Sequence, residues 1–156
     1  MMSMRWLEHR IPPPAVAVLI GTAMWGAARL GPLVDLSPAL RIAVAAAVAV
    51  IGVAFNIAGM VAFQRARTTL NPMNPEKAST LVTTGVYRIT RNPMYAGGAF
   101  LLVAWAVYLS SVWALLGPLL FVLYITRLQI LPEERALSAM FGSGFDAYRS
   151  RVRRWL

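Results

Sequence analysis

Residues 39–63, ALRIAVAAAVAVIGVAFNIAGMVAF, hold one charged side chain, Arg41. Crossing the hydrocarbon core of a bilayer takes about 20 apolar residues in a helix, and inside that core every backbone N–H and C=O must find its partner within the protein. A run of this length and composition therefore reads as a spanning helix, and its alanines and glycines let a neighbouring helix approach closely. Asn56 is the polar residue within it. An asparagine at such depth serves either a helix–helix hydrogen bond or a ligand contact.

Three further apolar runs follow the same logic. They are 14–30 (PAVAVLIGTAMWGAARL), 94–109 (MYAGGAFLLVAWAVYL) and 112–131 (VWALLGPLLFVLYITRLQIL). Gly117 and Pro118 predict a kink in the last of these. The 94–109 run gives only about 24 Å of helix against a ~30 Å core, which draws its first residues into the membrane edge. The whole chain is 58% hydrophobic and 13% charged, whereas soluble domains run near 45–50% and about 25%. The sequence thus predicts an all-α, polytopic membrane protein of about four transmembrane helices, a single domain over residues 1–156. Residues 1–63 supply two spans, and 64–156 a loop, a helical hairpin and a tail.

Four spans leave the N-terminus, the 64–93 loop and the tail on one side. That side carries Arg5, Arg10, Arg65, Arg67, Lys77, Arg88, Arg91 and, from Arg127 onward, six more arginines; the other carries Arg29 and Arg41. The positive-inside bias makes the richer side cytoplasmic. A net charge of +9 spread in this way fits anionic lipid rather than nucleic acid. Trp6 with Arg5 and Arg10 suits a headgroup-level anchor, the alternative being a disordered tail. Pro12, Pro13 and Pro14 break any signal-peptide pattern. With no cysteine, and His9 the one histidine, no metal cluster or Cys/His nucleophile pair is expected. There is no P-loop and no GxGxxG after a strand.

Chemistry concentrates at two cytoplasmic places. The first is the segment 81–97, LVTTGVYRITRNPMYAG, where Tyr87, Arg88, Arg91 and Asn92 arrive before Pro93 and Tyr95 opens the third span. The second is Arg127, Gln129, Glu133 and Glu134 at the end of the fourth span. Those spans form an antiparallel hairpin, so the two places lie side by side. Pro132 suits the first turn of a new helix. After it, Leu137, Met140, Phe141, Phe145, Tyr148, Val152 and Trp155 give an amphipathic tail suited to a membrane surface. Carboxylates at a membrane edge need partners. An Arg91–Glu133 ion pair stapling the hairpin is one reading. A cationic ligand is the other, and S-adenosyl-L-methionine, with a sulfonium, an ammonium and a ribose diol, matches carboxylates and tyrosine faces.

The motifs LVTTGVYRITRNPMYAG (81–97) and PEERALSAMFGSGFDAYRSRVRRWL (132–156) resemble the isoprenylcysteine carboxyl methyltransferase family and its phospholipid methyltransferase relatives. The resemblance covers about residues 64–156. It implies an integral membrane methyltransferase in which a cytoplasmic loop and a C-terminal amphipathic helix close a pocket for S-adenosyl-L-methionine. By position it implies cofactor contacts at Ser79, Thr80, Leu81, Val82, Tyr87, Arg91, Asn92, Pro93, Met94, Tyr95, Glu133 and Glu134, with Tyr95 and Arg127 positioning the reactants and no certain catalytic residue. Its histidine is Asn92 here, which hydrogen-bonds but does not titrate. The arginine thought to hold the substrate carboxylate is Gln129 here, with Arg127 two residues earlier. The implied activity is methyl transfer to a lipophilic or lipidated acceptor at the cytoplasmic face of a bacterial inner membrane, like that of protein-S-isoprenylcysteine O-methyltransferases. The alternatives are a phospholipid or small-lipophile N-, O- or S-methyltransferase, a non-catalytic membrane binding module, and an NADPH-dependent relative of sterol-type reductases. Membrane lipid is the expected partner, with no nucleic acid and no metal.

Overall fold

The computed structural model describes residues 11–67 and 80–156. The expected N-terminal anchor around Trp6, the candidate contact Ser79 and most of the polar loop after Arg67 lie outside those residues. Among the described residues the chain is helical, with two isolated bridges and no strand. Helix α1 spans Pro13–Ala28, α2 Pro38–Ala66 and α3 Pro93–Leu109. Each opens on a proline, whose fixed φ suits a first turn and whose missing N–H would be unpaired there anyway. Ser37 caps α2 by accepting the Leu40 N–H at 3.3 Å, satisfying one of the orphan donors at the helix start.

The last third of the chain departs from expectation. Trp113–Phe141 is one unbroken 29-residue helix. It begins as a 3-10 turn (Trp113–Leu115), continues as α4 (Leu116–Ile125), widens into a π turn (Thr126–Ile130) and resumes as α5 (Leu131–Phe141). Pro118 falls in the first turn of α4, where a missing N–H costs least, and the helix continues through it. Pro132 does not start a new helix. It lacks the N–H that the Leu128 carbonyl would take, and the chain answers one turn earlier: the Leu131 N–H bonds to the Thr126 carbonyl in the wider π pattern.

Gly142, at φ 48° and ψ −125°, separates α5 from α6, Ser143–Arg151. Only Gly adopts this conformation without strain. The tail then folds back onto the protein: Phe145 and Tyr148 are buried, and Val152 and Trp155 are half-buried.

Two helices, α2 and Trp113–Phe141, are long and apolar enough to cross a membrane; α1 and α3 are shorter apolar helices. Only 17% of the most apolar stretch of α2 is buried within the protein. Leu40, Ile42, Val50 and Ile57 all face outward on it. An apolar helix with so little protein cover is not a soluble core helix, and lipid is the solvent that suits it.

Glycines fix how the helices meet. A Cβ at Gly97 of α3 would come within 2.6 Å of the Gly52 carbonyl oxygen of α2, and one at Gly52 within 2.8 Å of the Gly97 carbonyl oxygen. The two backbones therefore touch, as small residues permit. Asn56 lies against this crossing, but its amide donates to the Gly52 carbonyl of its own helix at 2.9 Å. That hydrogen bond lies within α2 rather than between helices. Helix α1 packs on α3 and α4, with Trp105 Nε1 donating to the Gly21 carbonyl at 3.0 Å and Met24 seated on Gly117. Val16, Met24, Leu102, Phe121, Ile125 and Ile130 form the buried core between these helices.

Replacing Gly97 by Val should therefore cost about 3 kcal/mol of stability, the upper end for overpacking, because it meets both the Asn56 amide and the Gly52 backbone carbonyl. Gly26→Ala, with nothing within 4 Å of the added carbon, should change stability by less than about 0.5 kcal/mol. Thermal unfolding of both variants in one detergent checks the contrast.

Candidate functional site

The end of α2, the segment 80–92, the start of α3, the π turn with α5, and the tail converge at one end of the bundle. Val82 and Tyr87 are buried with Ala62, and Phe63, Ala66 and Val86 pack around them. The Phe63 and Tyr87 rings meet edge to face, with centroids 5.5 Å apart, a favourable aromatic geometry. Gly85, at φ 62°, turns the chain into the 3-10 turn Gly85–Arg88 that carries Tyr87 inward. This cluster anchors the segment on the end of α2, so the residues after it arrive at a fixed height on α3.

From there the tail holds the segment by main-chain bonds. The Arg91 N–H donates to the Arg153 carbonyl at 2.9 Å. Thr90, fully buried, donates its hydroxyl to the Arg154 carbonyl at 3.1 Å and accepts the Asn92 N–H at 3.2 Å. The Asn92 amide also donates to the Arg154 carbonyl, at 2.9 Å. Tyr148 donates to the Tyr87 carbonyl at 2.8 Å, and Trp155 Nε1 to Thr126 Oγ1 at 3.1 Å. Burial raises the pKa of both phenols, Tyr87 further because Tyr148 and Glu133 lie near, Tyr148 against a lowering by Arg91. Both stay protonated at neutral pH, as the donating role of Tyr148 requires.

The two glutamates part company. Consecutive helical residues point about 100° apart, so they serve different partners. Glu133 accepts the Tyr95 hydroxyl on Oε1 at 2.5 Å, and its Oε2 takes no hydrogen bond among the described residues. Glu134 receives a two-toothed contact from Arg154, Nε to Oε1 at 2.9 Å and Nη2 to Oε2 at 2.7 Å. Arg91 Nη1 lies 3.1 Å from Glu134 Oε1, with both side chains largely buried. Its approach is off hydrogen-bonding geometry, and Arg91 Nε is likewise buried without a hydrogen-bond partner. Burial lowers the Arg91 pKa, with Glu134 opposing, while the hydrogen bond to Glu134 raises that of Arg154.

The geometry brings together Tyr87, Arg91, Asn92, Pro93, Tyr95, Glu133 and Glu134. The stapling ion pair exists, but through Glu134 rather than Glu133. Val82 belongs to the supporting cluster; Met94 sits in the notch of Gly59 on α2; Leu81 is half-buried and Thr80 exposed. Arg88 and Arg127 point outward. Gln129 is fully buried and donates to the Ile11 carbonyl at 2.9 Å, tying the start of α1 to the π turn. Sequence reasoning missed Arg154 and Thr90. Arg154 sits in the run RVRRWL, which reads as a solvated basic face, and nothing in the chain marks it apart from its neighbours. Among the described residues no group of His, Cys, Asp and Glu is arranged to hold a metal ion.

Residues 40–144 match the family model described as phospholipid methyltransferase. An uncharacterized protein of Haemophilus influenzae is 40% identical over 63 residues, which are 40% of this chain and 100% of that protein. No solved structure matches.

Because Arg154 joins the tail to Glu134, Arg154→Ala should loosen residues 143–156. Loss of one charged hydrogen-bonded contact is worth about 1.5–3 kcal/mol, so trypsin cleavage after Arg149 and Arg151 should accelerate by roughly tenfold or more. Unchanged cleavage would show that the main-chain bonds to Thr90 and Asn92 hold the tail unaided.

Proposed function

From the membership of this chain in the phospholipid methyltransferase family, we propose that it transfers a methyl group from S-adenosyl-L-methionine to a lipophilic acceptor at the membrane. The observation that carries this reading is the Tyr95–Glu133 contact. It joins the two sequence motifs at one point and leaves a carboxylate oxygen open beside a tyrosine ring.

The donor set fits the cofactor. The open Oε2 of Glu133 suits an ammonium or a ribose diol, the ring of Tyr95 suits a cation, and the buried Nε of Arg91 seeks an acceptor such as a carboxylate. When bound, S-adenosyl-L-methionine supplies an electrophilic methyl group on a sulfonium. Methyl transfer is an in-line displacement that needs alignment and exclusion of water more than proton transfer. The residues here suit that task. Tyr95 orients Glu133. Glu134, Arg91 and Arg154 hold the tail over the corner and keep water out. Asn92, bonded to the Arg154 carbonyl, positions the tail and does no acid–base work.

In the proposed arrangement the chain crosses a bacterial cytoplasmic membrane four times, with termini and site in the cytoplasm. Helices α1 and α3 hold 16 and 17 residues, only about 24–26 Å of rise, so their site ends sit slightly within the membrane edge. That depth suits an acceptor that never leaves the bilayer. The acceptor is a phospholipid or small lipophile; Gln129, fully buried and engaged with α1, is not available to hold an acceptor carboxylate.

Calorimetry of the detergent-purified protein tests the cofactor assignment. Glu133→Gln and Tyr95→Phe should each weaken S-adenosyl-L-methionine binding by about tenfold or more, one charge-assisted hydrogen bond being worth at least ~1.4 kcal/mol. Arg127→Ala, remote from the corner, should bind as the parent does. Affinity unchanged in both site variants would overturn the assignment.

A further inference from the structure

At the end of the bundle away from the candidate site, the segment between α1 and α2 lies on the turn between α3 and α4. The Val34 N–H donates to the Ser110 carbonyl at 2.7 Å, Leu33 bridges to Ser111, and the Trp113 indole fills the space over Gly31. These contacts hold the end of α1 and the start of α2 in fixed places. Each of those places carries an arginine, Arg29 just after α1 and Arg41 in the first turn of α2.

Both guanidiniums lie on aromatic rings, an arrangement that favours a cation. The Arg29 Cζ stands 3.8 Å from the Trp25 ring centroid, and the Arg41 Cζ 5.5 Å from that of Tyr108. Tyr108 in turn stacks on Trp105, with centroids 5.4 Å apart. Trp25 and Trp105 line the two sides of the gap between α1 and α3, so the two arginines stand at the same end of that gap. Neither forms an ion pair among the described residues. Asp35 is the one acidic residue between Glu8 and Glu76, and it is exposed. Arg41 Nε is buried without a hydrogen-bond partner, and so is the hydroxyl of Ser111, a residue only 3% exposed. The other such atoms among the described residues belong to Arg91 at the candidate site. Buried donors without partners are rare and call for an acceptor. Arg41 also stands where the dipole of α2 disfavours a cation, which a bound anion would offset.

The surroundings select the anion. Leu30, Leu33, Leu40, Val112, Trp113 and Leu115 are exposed at this end, a rim suited to acyl chains rather than to water. Tryptophan, tyrosine and arginine above such a rim are the composition of the headgroup level of a bilayer, and planar guanidinium forks match pairs of phosphate oxygens. We propose that this end binds the phosphate of an anionic phospholipid, with Arg29 and Arg41 as its cations, in the leaflet facing away from the candidate site. This lipid is a resident one and not the acceptor. From Tyr95 to Tyr108 helix α3 rises about 20 Å, so a phosphate held here is far from the Tyr95–Glu133 corner. The site rests on the reading of the bundle as membrane-spanning and not on methyl transfer.

The test uses the full-length protein in detergent and a phosphatidylglycerol bearing a diazirine on its headgroup. Cross-links mapped by mass spectrometry should fall on residues 29–41 and 108–113, and excess unlabelled phosphatidylglycerol should remove them. Phosphatidylcholine and inorganic phosphate should each compete at least roughly fivefold less well, the first for want of net charge and the second for want of chains. Arg29→Gln with Arg41→Gln should cut this labelling at least roughly fivefold, since two charge-assisted contacts are lost. Labelling of the basic tail, residues 143–156, should stay as in the parent. Arg29→Gln alone, on an exposed side chain, should lower the labelling by itself if the double variant fails to fold. Both variants should keep the parent affinity for S-adenosyl-L-methionine. Label unchanged in both variants, label confined to the tail, or equal competition by phosphatidylcholine or inorganic phosphate would each overturn the proposal. Saturable labelling at this end by a protein with no S-adenosyl-L-methionine affinity would support the lipid site and sink the methyl-transfer reading, so the two fail separately.

Discussion

Glu134 holds two arginines that come from opposite ends of the second half of the chain. Arg91 precedes α3 and Arg154 lies in the tail, and both reach the same carboxylate. A largely buried charge cluster is costly to assemble and more costly to leave incomplete. Its main effect here is geometric. With Glu134 turned to the arginines, the helix geometry of α5 turns Glu133 the other way, onto Tyr95. The ion cluster thus decides which carboxylate faces the open corner.

The cluster can form because the π turn at Thr126–Ile130 carries the helix past Pro132 without ending it. Had the chain stopped and restarted at that proline, the glutamates would have entered a new helix at an angle set by a loop. Instead one helix runs from Trp113 to Phe141, and the glutamates stand in fixed register with the apolar part that packs on α1 and α3. The same wide turn presents Gln129 to the Ile11 carbonyl and Thr126 to Trp155. A local adjustment to one missing N–H therefore ties together the start of α1, the tail and the candidate site. π turns recur at functional positions for this kind of reason.

Helix–helix contacts set the other half of the arrangement. The Gly52–Gly97 approach leaves no slack between α2 and α3, and Met94 in the Gly59 notch extends that contact to the site end. The interface of α1 with α3 is looser by comparison, bridged by Trp105 and open beside it.

Much of this was legible in the chain itself. The long apolar run of α2, the all-helical class and the meeting of the 81–97 and 132–134 motifs follow from hydrophobic length and hairpin topology, which act locally or between neighbours in sequence. The family resemblance was carried by residues whose order alone identifies them. Tertiary structure decided the rest. Whether Glu133 or Glu134 met Arg91 depended on the rotation of a helix, which no spacing of residues specifies when two acids are adjacent. The partner of Glu134 was one arginine among several in a basic tail, chosen only when Gly142 turned that tail back. Composition and period fix what each segment must bury; which atom finally meets which is set by packing, where displacements of an ångström exchange one partner for another.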